Sequence, residues 1–85
     1  MENINEVKET KEIKQEPVMT MGVVINCDKL NIRKKPDFNA DVVGMVDVGT
    51  ALTINVTGST EDFYKVRTKS GMFGFCMKEF VEVRG

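Results

Sequence analysis

The chain has no histidine, no tryptophan, one tyrosine, two prolines and two cysteines among its 85 residues. Without histidine, neither a Ser-His nor a Cys-His nucleophile pair can be assembled. A zinc site would have to combine two thiolates with carboxylates, outside the usual ligand sets. Cys27 and Cys76 each lie in or beside an apolar run rather than in a CxxC cluster. Two readings stay open for them: buried free thiols acting as small hydrophobes, or a disulfide worth roughly 4 kcal/mol in the chain-entropy model. No apolar run has the length a membrane span needs, and the N-terminus MENINEVKETKEIKQEP lacks the basic-then-apolar profile of a secretory signal. A full gene product of this kind is expected to be cytoplasmic or phage-associated, and a piece of a larger or exported protein is expected at the cell envelope.

Charge of one sign is also scarce, with a net charge of −1. Residues 1–17 hold five acidic and three basic side chains, and the remainder is nearly balanced. Neither part is basic enough for nucleic-acid binding by counterion release. In residues 1–17 the apolar positions Ile4, Val7 and Ile13 form no continuous helical stripe. Lys8, Lys11 and Lys14 repeat at i, i+3, as do Glu6, Glu9 and Glu12, so like charges repel in a helix. This stretch reads as a solvated, disordered tail, or as an arm that orders against a partner. Residues 18–85 read as one small domain, close to the lower size limit for a single hydrophobic core.

What is abundant is short apolar alternation broken by glycine. Phe63 to Thr68 alternates apolar and basic residues, and Lys69-Ser70-Gly71 supplies a three-residue loop whose last position suits a left-handed backbone. The return runs through Phe73 to Cys76, so this stretch predicts a β-hairpin. Upstream, Gly22 to Asn26 predicts a first strand and Leu30 to Arg33 a second. Lys34 to Asp41 is a polar loop around Pro36 with Phe38 at its tip. Val42 to Val46 resumes extended structure, Asp47-Val48-Gly49 turns the chain, and Thr50 to Thr57 alternates with Leu52, Ile54 and Val56 on one face. Met77 to Glu79 predicts a tight helical turn and Phe80 to Val83 a closing strand. Five to seven short strands at regular spacing, with no helix of any length, predict a small all-β barrel.

Carboxylates offer no better case for catalysis. Glu61 with Asp62, and Asp37 with Asp41, sit in predicted loops, where carboxylates are solvated, whereas general acid-base work needs one member of the pair buried. Gly71 and Gly74 resemble a phosphate cradle in spacing only, since no helix N-terminus follows them. No cofactor is implied, and the chain is expected not to be an enzyme.

The run Leu30-Asn31-Ile32-Arg33 with Pro36, then Val43-Gly44, Gly49-Thr50, Phe63-Tyr64-Lys65-Val66, Gly71-Met72-Phe73-Gly74-Phe75 and Phe80-Val81, resembles the bacterial Src homology 3 domain. The resemblance covers Gly22 to Val83. It implies a small, partly open SH3-like barrel and a non-catalytic module that targets cell-wall peptidoglycan or its peptide stems, or docks another protein. Three positions depart from the family pattern. Lys35 stands where a glycine usually precedes the proline, and Phe63 and Phe75 stand where tryptophans are usual. Losing two indoles removes two hydrogen-bond donors from the expected ligand surface.

If Tyr64 and Val66 face the core, alternation sends Phe63, Lys65 and Arg67 outward, and Phe73 and Phe75 follow on the return strand. With Arg33 and Phe38 from the preceding strand and loop, these seven residues are the expected ligand-binding set, around a groove between the Lys34 to Asp41 loop and the hairpin. Exposed aromatics clustered on a small domain mark interfaces. The loop folding over this face, with Phe38 capping the other rings, is the competing arrangement. Two functions follow: recognition of cell-wall peptide or glycan, or docking in a phage particle or other bacterial assembly through the tail and hairpin face.

Overall fold

A computed structural model describes residues 17–85, so the tail expected to be disordered lies, except for Pro17, outside the described residues. The fold is all-β, with seven strands among those residues. They are β1 (Met19–Val24), β2 (Lys29–Arg33), β3 (Val42–Asp47), β4 (Ala51–Asn55), β5 (Phe63–Arg67), β6 (Phe73–Met77) and β7 (Val81–Val83), with a 3-10 turn, Lys78–Phe80, before the last. All pairs are antiparallel, in the order β3-β2-β6-β5-β4-β1-β7.

Alternation places the core. Val24, Leu30, Ile32, Leu52, Ile54, Val66, Cys76 and Val81 pack into one cluster drawn from six of the strands. One sheet therefore curls around its own inward face, giving the expected partly open barrel, with β3 and β7 as its two ends. Each large aliphatic side chain in such a core contributes about 1.5–3 kcal/mol by leaving water.

Two glycines are required by geometry. Gly71 has a φ of 95°, closing the β5–β6 turn as its sequence position predicts. Gly74 faces inward where β6 crosses β2, and a Cβ there would stand 2.5 Å from the Ile32 Cγ2 and 2.6 Å from the Arg33 carbonyl oxygen. Thr68 is a buried polar side chain in the same turn. Its hydroxyl accepts from the Met72 amide at 3.0 Å and shares a hydrogen bond with Ser70 at 2.8 Å.

Several boundaries differ from the sequence expectations. β4 ends at Asn55 rather than Thr57, so Val56, expected on the face of Leu52 and Ile54, lies beyond the strand and is 44% exposed. β1 begins at Met19 rather than Gly22, because its ladder with β4 runs unbroken from Met19 opposite Asn55 to Val23 opposite Ala51. Gly22 is thus an interior position of the strand rather than its start. The helical turn lies at Lys78–Phe80 and the closing strand at Val81–Val83, each displaced along the chain by one residue at its start. Of the two readings for the cysteines, the structure has free thiols, Cys76 buried and Cys27 half-buried.

Candidate functional site

The outward face of the hairpin is built by register. On β5 and β6, Phe63 pairs with Met77, Lys65 with Phe75 and Arg67 with Phe73, while Tyr64 opposite Cys76 and Val66 opposite Gly74 form the inward pairs. The parity read from the sequence is therefore the parity of the fold. Parity does not by itself decide exposure.

Phe63 corrects the expectation that the whole outward row meets solvent: only 2% of it is exposed. The loop between β2 and β3 brings the Phe38 ring against Phe63 in a T-shaped pair, with centroids 5.0 Å apart and planes at 62°. This is the favoured arrangement for aromatic quadrupoles.

The loop is held from within and from its base. The Arg33 Nη1 donates to the Ala40 carbonyl at 2.8 Å, and the Lys34 amide donates to the Asp41 carbonyl at 2.8 Å, closing its neck. Inside it, the Ala40 amide bonds the Asp37 carbonyl and the Asp37 carboxylate accepts from the Asn39 amide at 2.8 Å. Asx bonding of this kind replaces the ladder hydrogen bonds that a loop lacks. Arg33 thus positions the loop. On the loop's own concave side lies an open cleft of about 330 Å³ lined by Lys34, Lys35, Asp37, Asn39, Ala40 and Asp41.

The seven expected site residues separate into two groups. Arg33, Phe38 and Phe63 form the aromatic corner, with Phe38 itself 54% exposed. Lys65, Arg67 and Phe73 are exposed on the sheet face beyond it, where the Arg67 guanidinium sits 6.0 Å above the Phe73 ring centre, and Phe73 is 64% exposed. Phe75 is half-buried and joins the groups, since it pairs with Lys65 on one side and Arg33 on the other.

Sequence reasoning missed the continuation of the second group. Met19 pairs with Asn55 and Met21 with Thr53, and those residues pair in turn with Lys65 and Arg67. The alternation of Leu52 and Ile54 already sent Thr53 and Asn55 outward. Met19 and Met21 lie ahead of Gly22, where the sequence pattern predicts the first strand to begin.

A second cation over an aromatic ring stands near the 3-10 turn, with the Lys78 Nζ 5.1 Å from the Tyr64 ring centre. The Cys76 thiol is pushed up to about 12, first by burial and then by the neighbouring Cys27. A thiol so raised is almost wholly protonated near neutrality and is no nucleophile. Among the described residues, no three acidic or thiol side chains converge as a metal site would require.

The model of the family described as bacterial SH3 domain matches residues 28–82. No curated protein matches the chain.

Proposed function

The chain belongs to the bacterial SH3 domain family, and from that premise we propose that it is a non-catalytic module that recognises bacterial cell-wall peptidoglycan or its peptide stems. The observation that carries this reading is the pre-set aromatic corner. Phe38 keeps about half its surface in solvent while its ring packs in a T-shaped pair with buried Phe63 and its loop is pinned by Arg33. A ring already fixed in place loses little conformational freedom when a ligand lands on it.

Beside that ring, the loop cleft offers the Lys34 and Lys35 side chains and the polar groups of Asp37 and Asn39. Peptide stems present carboxylates and amides, and glycan presents hydroxyls, which such a lining can pair. Binding is thus assigned to Phe38 and the loop cleft. Phe63 serves as the support beneath rather than as a contact.

Sedimentation with purified sacculi tests the reading. The full chain pellets with the sacculi, and Phe38→Ala reduces the bound fraction about tenfold. In a second measurement, muropeptides shift the amide signals of residues 34–41. A chain that stays in the supernatant, and whose loop signals do not move, overturns wall recognition. Docking in a phage particle or other bacterial assembly is the second reading, favoured by Met19, Met21 and Phe73, which stand exposed away from the corner.

A further inference from the structure

Two rows of outward side chains cross four adjacent strands. One runs Met19, Asn55, Lys65, Phe75, and the other Met21, Thr53, Arg67, Phe73. Each row therefore begins with a thioether, ends with an aromatic ring and carries one cation between them. Neither contains a carboxylate. The acid nearest in register on β7 is Glu82, opposite Val23 one row further along, and its carboxylate is taken by Arg84 at 2.8 Å. Lys65 and Arg67 have no ion-pair partner among the described residues.

Between the rows lies a dent of about 60 Å³, bordered by Met19, Val66 and Phe73 and flanked by both cations. Its size admits part of one aliphatic side chain. Met19, Met21 and Phe73 are 48%, 44% and 64% exposed. Large apolar side chains gathered around cations that have no carboxylate partner among the described residues are costly to leave facing water and complementary to an acidic, partly apolar surface.

We propose that this face, formed by β1, β4, β5 and β6, docks a partner protein through a segment that sets a carboxylate beside an aliphatic side chain. The aliphatic group enters the dent and the carboxylate lies between Lys65 and Arg67. Methionine suits such a floor because its thioether adapts to the shape it meets. The surface is separate from the aromatic corner assigned to wall recognition. The proposal rests on the docking reading, to which it adds the chemistry of the partner, and does not depend on wall recognition.

The test is an NMR titration of the full chain, observing methionine methyls and backbone amides, with the acetylated peptide Ser-Glu-Leu-Glu-Leu-Ser as probe and its lysine-for-glutamate counterpart as control. The Met19 and Met21 methyls and the Phe73 amide shift with the acidic peptide and not with the basic one. Arg67→Glu weakens the acidic peptide about tenfold and admits the basic one. Arg67 is exposed and outside the core, so the variant keeps the wild-type amide dispersion. Absence of shifts at about 1 mM peptide, equal shifts with both peptides, or shifts confined to residues 34–41 overturn the proposal. It also fails if the same methyls move with protein concentration alone, which makes a second copy the occupant. Movement on Glu12→Lys without peptide likewise overturns it, by making the chain's own residues 1–16 the occupant.

Discussion

Phe38→Ala isolates the contribution of a single ring. Truncation removes the edge-to-face contact with Phe63 and opens a ring that is now 2% exposed. The expected loss is about 1 kcal/mol of folding stability, read as a lower urea midpoint with an unchanged slope. Arg33 is held by the Ala40 carbonyl whether or not the ring is present, so the loop neck stays closed. At this scale the outward parity of Phe63, Lys65, Arg67, Phe73 and Phe75 was legible, because alternation in an extended chain follows from local sterics. The burial of Phe63 was not, because it depends on where a separate loop delivers Phe38. The sequence reading left covered and uncovered rings as alternatives, and the structure divides them: Phe63 is covered, Phe75 half-covered and Phe73 open.

Among the elements, the β5–β6 hairpin concentrates the most constraint in the fewest residues. Gly71 sits at a φ of 95°, and Gly71→Ala there costs about 1–2 kcal/mol because a Cβ meets the following carbonyl. The Thr68 hydroxyl accepts from the Met72 amide at 3.0 Å inside a buried turn. Thr68→Val leaves that amide without its side-chain acceptor and costs about 1–3 kcal/mol. Chemical denaturation of both variants measures these losses, and hydrogen exchange should localise faster amide exchange to residues 68–72. The hairpin's loop length and glycine position were plain in the sequence, since turn chemistry is carried by the turn residues themselves. The start of β1 was not. Nothing local distinguishes Met19-Thr20-Met21 as a strand until β4 supplies its partners.

For the whole molecule, stability should depend on the protonation of one core thiol. Cys76 is 1% exposed and its pKa is pushed up to about 12 from 9.0, by burial first and by Cys27 second. Below pH 9.0 both folded and unfolded chains keep the thiol proton, and its contribution to stability is complete. Between pH 9.0 and about 12 the unfolded chain ionises while the folded chain does not, so stability is lost as pH rises. Urea midpoints measured from pH 8 to about pH 10 check this. Cys76→Ala, although less stable near neutrality because it leaves a core cavity, should show a shallower decline over the same window. The amino-acid sequence alone determined the β class, the inward set Leu30, Ile32, Leu52, Ile54 and Val66, and the turn at Gly71, because alternation and turn preference act between near neighbours. Only the tertiary structure decided that Phe38 roofs Phe63, that the two thiols stay unpaired, and that Met19 and Met21 extend the cationic hairpin face. Those outcomes are set by contacts between strands and loops distant in sequence, which local pattern does not encode.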